Sequence, residues 1–524
     1  MAIATLFSHA RPADEPREQR PWLTLATVAF GVIMVGLDGS VVAVANPYIA
    51  RDLHTSLSGL QWITNAYLLV LAVGLIVGGK LGDRYGRKPM FAVGVAGFAL
   101  ASVAVGLVGT TDGVIAFRAV QGGFGALLMP NSLGLLRAAF PLEKLNTAVG
   151  IWGASSAIAI AGGPIVGGLL VEHVSWESVF FLNAPVGALA LFLTMRWVVD
   201  SREAERHRFD VKGLAALAGG LFLVVLALVE AQTWTWSSPR TIGLLAGGAA
   251  VLVVFALVES RVEAPLVPLR LFANRSVSLG TVTVLLNFFA LYGVLFFISL
   301  YLQDVHGFSP LGAGERLLPL TAMFAVSSPL GALLTDKLGP RVAITGGLAA
   351  VGVALLMLTG LRVDSPYGAL WPAFVLLGLG IGMVVVASTD AIVGNASVDD
   401  AGLAGGIQST AVQLGGVLGT AVLGSVLAGR IASTLVPDLR AHGVPASIAP
   451  RFLAAKSVVA QGLAPVTKRM PPSLTHDVTR ASHAAFMSGL HTALFVGAVA
   501  AFAGAALGLF VRRGEHSGAA AMVA

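Results

Sequence analysis

The amino-acid sequence predicts an all-α polytopic membrane protein that crosses the bilayer fourteen times. Of its 524 residues, 56% are hydrophobic and only 11% are charged, whereas about a quarter of the residues in a soluble domain are charged. The apolar residues form continuous runs, and many runs reach the roughly 20 residues that a helix needs to span a bilayer. Continuous rather than alternating apolar runs indicate helices, not the strands of a membrane barrel.

Polar or glycine-rich turns separate the fourteen apolar runs. In chain order the predicted spans cover 22–46, 60–79, 90–109, 113–136, 147–171, 178–197, 212–231, 241–259, 277–300, 314–335, 342–361, 369–393, 405–428 and 486–511. The first run is too long for the apolar region of a signal peptide, so it is predicted to stay in the mature chain as a span.

The distribution of Lys and Arg residues predicts the orientation in the membrane. Only three of the 33 fall in the short loops predicted to face outside, namely Arg51, Arg240 and Arg362. Cytoplasmic loops are enriched in basic residues, so both termini are predicted to be cytoplasmic. The net charge of +6 comes mostly from these loops and gives no reason to expect a nucleic-acid partner. The chain has no cysteine, which excludes disulfides and thiolate metal sites, and no metal site is predicted.

A basic turn after the second span is repeated after the tenth span. The first copy carries Gly79, Asp83, Arg84, Gly86 and Arg87, and the second carries Asp336, Gly339 and Arg341. Glycine-rich stretches in the fifth and thirteenth spans give a second correspondence. Together they predict two six-helix bundles with the seventh and eighth spans inserted between them. The predicted regions are a tail at 1–21, a first bundle at 22–200, the inserted spans at 201–275, a second bundle at 276–511 with an extracellular loop at 429–485, and a tail at 512–524.

Several motifs resemble those of one transporter family. The first span carries L-D-G-S-V-V-A-V-A-N-P at 37–47, the fourth carries R-A-V-Q-G at 118–122, the fifth carries G-G-P-I-V-G-G at 162–168, and W-E-S-V-F-F-L-N-A-P stands at 176–185. Jointly they resemble the fourteen-span drug:proton antiporter family of the major facilitator superfamily, the multidrug efflux transporters. Ala43 departs from the family's asparagine, and the thirteenth span lacks the carboxylate that some exporters of cations carry.

The resemblance implies a proton-coupled antiporter in a bacterial cytoplasmic membrane. It would export lipophilic drugs or toxic compounds, cationic ones included, by alternating access, with small lipophilic molecules, protons and lipid as its partners. The proton gradient would supply the energy without a cofactor, since the sequence has no phosphate-binding G-x-x-x-x-G-K-[ST] loop. A monomer is expected.

Three other functions are compatible with parts of the sequence. An exporter of a single metabolite or self-made antibiotic would share every motif. A non-transporting membrane scaffold would not need Asp38. An intramembrane enzyme would need paired carboxylates, or His and Asp, in a water-exposed site, and the spans offer too few such residues, so no enzymatic activity is predicted.

Three ionisable residues inside predicted spans are candidates for proton coupling or substrate contact. A charge at the centre of a membrane helix costs about 2.5–3.5 kcal/mol on insertion scales, so such residues usually face a cavity or a partner. Asp38 is predicted to bind a proton or a substrate, or alternatively to hydrogen-bond a broken helix segment. For Arg118 the resemblance implies a role in proton coupling, and a structural hydrogen-bonding role is the alternative. Asp390 is a second candidate protonation site, although its place near a helix end favours contact with water.

The repeated turn and the fifth span are predicted to control the movement of the bundles. The charges of Asp83, Arg84 and Arg87 are predicted to latch the two halves together in the outward-facing state, with turn formation alone as the alternative. The proline of the fifth-span motif removes a helix hydrogen bond, which predicts a kink that seals the transport path. Close packing of its small residues is equally compatible. The motif residues are Gly163, Pro164, Gly167 and Gly168.

Polar and aromatic side chains in the spans are candidates for lining a substrate cavity, although each of them could serve packing alone. They are Trp62, Tyr67, Gln121, Asn287, Tyr292, Phe296, Gln408 and Gln413. Within the loop 429–485, residues 452–463 are predicted to form a short amphipathic helix that covers the transporter, lies on the membrane, or serves as a spacer.

Overall fold

The computed structural model describes residues 20–201, 210–262, 265–396 and 400–513, and these ranges contain no β-strand. Within them lie fourteen helices long and apolar enough to cross a bilayer, labelled α1–α14 in chain order. They are Pro21–Asp52, Leu57–Tyr85, Arg87–Leu107, Thr111–Ala139, Glu143–His173, Ser178–Trp197, Val211–Trp234, Pro239–Glu259, Arg275–Val305, Pro310–Leu338, Pro340–Leu358, Tyr367–Val393, Gly402–Ala441 and Pro472–Gly508.

Local sequence explains where several helices begin and end. The side chains of Ser56, Thr110 and Asn274 accept hydrogen bonds from backbone N–H groups at the starts of α2, α4 and α9, which satisfies donors that the first helical turn leaves unpaired. Gly86 and Gly339 lie between α2 and α3 and between α10 and α11, with φ of +106° and +85°. Glycine adopts positive φ at little cost, so both copies of the repeated turn depend on this residue type.

The number and order of the predicted spans are confirmed, but the basic turn is shorter than predicted. Helix α2 continues to Tyr85 rather than ending near residue 79. Gly79 and Asp83 are therefore helical, and the change of direction falls on Gly86 alone. The prediction stopped too early because the last two turns of α2 carry charged side chains, which lower the hydropathy without breaking the helix.

The predicted loop 429–485 is also shorter in the structure. Helix α13 runs on to Ala441 and α14 begins at Pro472, so only residues 442–471 lie between them. This segment contains the 3₁₀ helix Ala449–Ala455 and the short α-helix Lys456–Val459, close to the predicted short helix. The prediction was based on apolar runs, and it missed these helical extensions because they contain polar residues.

Two six-helix bundles, α1–α6 and α9–α14, form the two halves of the molecule. In the first half, α1 packs against α4, α5 and α6, and α2 packs against α4. In the second half, α9 packs against α12, α13 and α14, and α10 packs against α12. Each packed helix pair of the first half thus has an equivalent pair in the second half, in which both helix numbers are higher by eight. This confirms the internal repeat at the level of helix packing.

The halves meet along two seams. Helix α2 packs against α13 along one seam, and α5 packs against α10 along the other. The inserted helices α7 and α8 pack against each other, and α7 also contacts α2 and α13. The inserted pair therefore lies over the α2–α13 seam.

The two ends of the molecule differ in how closely the halves approach. We call the end that holds Gly86 and Gly339 the basic end. At the opposite end, Arg51 of α1 forms an ion pair with Asp304 of α9, and Gln303 Nε2 donates to the Val44 carbonyl at 3.0 Å. At the basic end a cavity of about 600 Å³ separates the halves.

Candidate functional site

An ion pair between Asp38 of α1 and Arg118 of α4 lies inside the first bundle. The two side chains are 0% and 1% exposed. Burying two charges in the low dielectric of a bundle is costly unless they are paired and their remaining lone pairs and protons are satisfied. The surroundings of the pair therefore decide whether it can exist at this depth.

Neutral polar side chains complete the ion pair. Gln121 Nε2 donates to Asp38 Oδ1 at 2.8 Å, and Asn183 Nδ2 of α6 donates to the same oxygen at 3.1 Å. Asn183 is in turn hydrogen-bonded to Ser102 Oγ of α3 at 2.9 Å. The cluster thus ties together α1, α3, α4 and α6.

Arg118 has partners besides the carboxylate. Its Nε donates to the Ile63 carbonyl of α2 at 3.2 Å, and its Nη1 donates to Gln121 Oε1 at 2.7 Å. Its guanidinium carbon lies 4.1 Å from the centre of the Tyr67 ring, a cation–π distance. The guanidinium would therefore keep three contacts if Asp38 became neutral.

A small space lies beside this cluster, between the two halves. It measures about 10 Å³ and is lined by residues of α1, α2, α9 and α13, including Gly39, Thr64, Tyr292, Phe296 and Thr420. A water molecule needs at least about 10–15 Å³, so the space is close to the size of one water. The Thr64 hydroxyl has no hydrogen-bond partner among the described residues. Gly39, the chain neighbour of Asp38, thus borders a small space that is lined by apolar side chains and a few hydroxyl groups.

The large cavity at the basic end has an apolar interior and a charged mouth. Its apolar lining includes Leu75, Met129, Trp152, Leu403 and Ile407. Among its described lining residues, four are cationic and one is a carboxylate: Lys80, Arg87, Arg137, Arg270 and Asp83. Cavities that bind small molecules are usually mostly apolar with a few placed polar groups, and this cavity has that composition.

Two charges of the first copy of the repeated turn, Asp83 and Arg87, line this cavity. Asp83 Oδ1 accepts hydrogen bonds from Arg87 Nε at 3.0 Å and Nη2 at 2.8 Å. Arg84 lies over the ring of Tyr85 instead. The pair joins the end of α2 to the start of α3 within one half, and the latch between the halves stays a prediction for these residues and for Asp336 and Arg341.

The small residues of the α5 motif lie against both halves near the opposite end. A Cβ at Gly163 would overlap Ser40 Oγ of α1, and one at Gly167 would crowd Val41. On the other side, a Cβ at Gly168 would press on the backbone of Pro310, and a Cβ at Gly314 of α10 would press on the backbone of Pro164. The predicted close packing is present, and α5 forms a tight contact layer between α1 and α10.

A family model described as Major Facilitator Superfamily matches residues 28–420 of this chain. The chain belongs to the Major Facilitator Superfamily.

Two relatives and one solved structure are similar to this Major Facilitator Superfamily chain. The tetracenomycin C resistance and export protein of Streptomyces glaucescens is 46% identical over 501 residues, 95% of this chain and 92% of the relative. The multidrug resistance protein Stp of Mycobacterium tuberculosis is 36% identical over 438 residues, 82% of this chain and 80% of the relative. The solved structure is a bacterial homolog to human lysosomal transporter Spinster, crystallised in an inward-facing and occupied conformation. Its TM-score is 0.60 at 17% sequence identity, and the match covers 94% of this chain and 97% of the chain in that structure. These findings confirm the predicted fold, all-α with two six-helix bundles and an inserted pair.

The cavity residues predicted from sequence do not line the large cavity of this superfamily member. Tyr292 and Phe296 line the small space, and Gln121 belongs to the Asp38 cluster. Three others bind neighbouring helices: Trp62 donates to Glu230 at 3.3 Å, Gln408 donates to Thr389 at 2.5 Å, and Asn287 donates to the Ile381 carbonyl at 3.3 Å. The remaining two are buried, Tyr67 at 1% exposure and Gln413 at 8%. Polar and aromatic side chains also join helices, so residue type alone does not identify cavity residues, and substrate contact by these eight residues stays a prediction.

Asp390 stands apart from the Asp38 cluster. It lies on α12 three residues before that helix ends at Val393, at the basic end. Its Oδ2 atom has no hydrogen-bond partner among the described residues. Its role as a second protonation site stays a prediction.

Sequence reasoning missed two groups of residues in this superfamily member. Asn183 and Ser102 complete the Asp38 cluster, and a signal was present only for Asn183, which stands in the 176–185 motif. The lining residues Trp152, Leu403 and Arg270 were also missed. They come from different helices and from the segment after α8, and only the packed structure brings them together.

Proposed function

We propose that this protein is a proton-coupled antiporter that exports lipophilic antibiotics or drugs across a bacterial cytoplasmic membrane. The observation that carries the proposal is the buried Asp38–Arg118 ion pair in a Major Facilitator Superfamily chain. Asp38 is held inside the bundle by one guanidinium and two side-chain amides, and we infer that it takes up and releases the proton of the transport cycle. We further propose that the single chain is the transporting unit, because both halves and the cavity come from one chain.

The proton step follows from the contacts of the pair. Protonation of Asp38 removes its charge and weakens its hold on Arg118, which keeps the Ile63 carbonyl, Gln121 and the Tyr67 ring as partners. The small space beside Gly39, whose lining includes the hydroxyls of Thr64 and Thr420, would give the proton a path from the boundary between the halves. A change of charge in α1 and α4 would then alter how the first half packs against the second.

The orientation follows from the basic residues. We propose that the basic end faces the cytoplasm, since basic loops are retained there, so that both termini are cytoplasmic. The conformation described here then opens its cavity to the cytoplasm and is closed outside by the contacts of α5 with α10 and of Arg51 with Asp304. Export requires the reverse arrangement at another stage of the cycle.

The substrates are proposed from the cavity and from the relatives' names. Tetracenomycin C is exported by one relative, and another confers multidrug resistance. Asp38 and Asp83 are each paired with an arginine. Among the described residues that line the cavity, cations outnumber carboxylates. This charge distribution favours neutral or acidic lipophilic compounds over cations, and export of one self-made antibiotic remains the alternative to multidrug export.

The test uses everted membrane vesicles in which a proton gradient is imposed. Uptake of tetracenomycin C, the neutral dye Nile red and the cationic dye ethidium is measured for wild type and Asp38→Asn. We expect gradient-dependent uptake that an uncoupler abolishes and that the variant loses by about 10²-fold or more, the usual contribution of a positioned proton-transfer group. Asp112→Asn, an exposed carboxylate at the start of α4, is the matched control and should transport normally.

The possible results separate the alternatives. Uptake of tetracenomycin C alone favours the dedicated exporter, and uptake of several compounds favours multidrug export. Uptake that persists in Asp38→Asn removes this residue from the mechanism. Wild-type vesicles that take up none of the three compounds would contradict multidrug export and favour a dedicated exporter of another compound or the membrane scaffold.

A further inference from the structure

The connector, residues 265–274, joins the inserted pair to the second half. It follows α8 and passes through the 3₁₀ helix Leu269–Ala273 into α9. Glu259, at the end of α8, is 2% exposed and accepts a hydrogen bond from the Val267 N–H at 3.1 Å, and Leu266 is fully buried. The connector therefore follows a fixed path over the molecule.

Two polar contacts tie the connector to both halves at the basic end. Lys80 of α2, in the first half, donates from Nζ to the Pro265 carbonyl at 3.0 Å. Arg270 forms an ion pair of 2.7 Å with Asp400, which stands just before α13 in the second half. The connector thus crosses from one half to the other where the cavity keeps them apart.

The connector also forms part of the cavity surface. Pro265, Leu266, Pro268 and Arg270 belong to the described lining, opposite residues of α4, α5 and α13. Proline fixes its own backbone φ, so two of these four residues hold the surface in a preformed shape. A preformed apolar surface loses little conformational entropy when a compound binds to it.

We propose that the connector is a substrate-contacting wall of the cavity, so that the inserted helix pair determines which lipophilic compounds the cavity accepts. This inference rests on the proposed export function for the identity of the compounds. Lys80 and Asp400 act as positioning residues that hold the wall against both halves. The inserted pair accordingly does more than pack against the α2–α13 seam.

The wall is tested by labelling a single cysteine. The chain has none of its own, so Pro265→Cys places one thiol in the wall, and the backbone carbonyl that Lys80 contacts is retained. The rate of alkylation by N-ethylmaleimide is measured in everted vesicles with and without Nile red. The dye is used at about ten times the concentration that gives half of its maximal fluorescence change on binding to the wild-type protein. We expect alkylation about tenfold slower with the dye, because occupied sites are shielded in proportion to occupancy. Val262→Cys, exposed and outside the lining, should not respond to the dye.

The positioning contact is tested by reversing its charges. Arg270→Glu and Asp400→Arg should each change the alkylation rate of the Pro265→Cys thiol by about two- to fivefold, the effect of an ion pair whose arginine is exposed to solvent. The double reversal should restore the rate, and Arg261→Glu, an exposed residue before the connector, should leave it unchanged. If the alkylation rate in the double reversal is the same as in the single variants, the positioning role of the Arg270–Asp400 contact is overturned.

The results for the wall and for transport can be told apart. Gradient-driven Nile red uptake without protection of the thiol overturns the wall and leaves the export function standing. Protection of the thiol without gradient-driven uptake supports the wall and removes the export function. Equal protection at Pro265→Cys and Val262→Cys also overturns the wall, since it indicates a general effect of the dye.

Discussion

At the scale of single residues, the burial of Arg118 depends on Asp38. An isolated ion taken out of water loses several kcal/mol of hydration energy, and only a close partner and satisfied hydrogen bonds offset this loss. Asp38 supplies the opposite charge, and Gln121 bonds to both members of the pair. The pair is therefore held by its surroundings.

The mutual dependence predicts a rescue. Arg118→Leu leaves the Asp38 carboxylate buried with only Gln121 and Asn183 as partners, and we expect a loss of about 3–5 kcal/mol of stability. The double variant Asp38→Asn with Arg118→Leu contains neither charge and should recover most of that loss. Thermal unfolding of the purified variants in detergent measures both the loss of stability in Arg118→Leu and its recovery in the double variant. Equal losses in the single and double variants would contradict a stability contribution from the pair.

The sequence identified the charged members of this cluster but not all of its neutral members. Asp38 and Arg118 were singled out because ionisable residues are rare in apolar spans, whatever the fold. Asn183 and Ser102 gave no such signal, since neutral polar residues occur throughout the spans. Their role depends on the contacts of α6 with α3 and of α3 with α4, which a single sequence does not contain.

At the scale of elements, α5 is a helix with tightly packed faces. Its glycines bring its backbone close to α1 on one side and to α10 on the other. Small residues allow such approach in membrane bundles, where packing replaces the hydrophobic effect as the force between helices. The tolerance of α5 for larger residues should therefore differ sharply between neighbouring positions.

Adjacent glycines provide this comparison. A Cβ at Gly163 would overlap Ser40 Oγ, whereas nothing lies within 4 Å of a Cβ at Gly162. We expect Gly163→Ala to lose about 1–3 kcal/mol through overpacking and to slow transport. Gly162→Ala should be neutral or slightly stabilising, because alanine favours the helix by up to about 1 kcal/mol. The unfolding midpoints and the rates of dye uptake of the two variants test this expectation. Equal midpoints and equal rates in the two variants would rule out the packing explanation.

The number of helices was predictable from sequence, but their lengths were not. Hydropathy detects the part of a helix that contacts lipid or core, and that part exists in every span. The extensions of α2, α13 and α14 contain polar residues, and those of α13 and α14 also bury apolar residues such as Leu435, Leu439 and Val478 against neighbouring helices. Hydropathy alone gave no signal for such support.

At the scale of the whole molecule, the conformation depends on a balance between its two ends. The opposite end is closed by contacts between the halves and by the segment after α13. Gln461 Nε2 of that segment donates to the Thr55 carbonyl at 3.2 Å, and Lys456 Nζ donates to the Gln232 carbonyl of α7 at 3.2 Å. The second half thus reaches over both the first half and the inserted pair.

Weakening the closed end should shift this balance. Asp304→Asn removes the ion pair with Arg51, whose side chain is 47% exposed, and we expect up to about a fivefold shift in the equilibrium between conformations. The basic end should then be open less often. A thiol at Gly405→Cys, which lines the cavity and has open space around it, should accordingly react more slowly with N-ethylmaleimide. Asp112→Asn is the control, and an unchanged rate in Asp304→Asn would show that the ion pair does not help to close this end.

The inserted pair covers only one of the two boundaries between the halves. Helix α7 lies over α2 and α13, and no equivalent helix in the described chain lies over α5 and α10. A lipophilic molecule dissolved in the bilayer therefore meets the junction of the halves directly on the α5–α10 side alone. We expect compounds that arrive from the lipid to enter sideways through that junction, and compounds that arrive from water to enter past the connector.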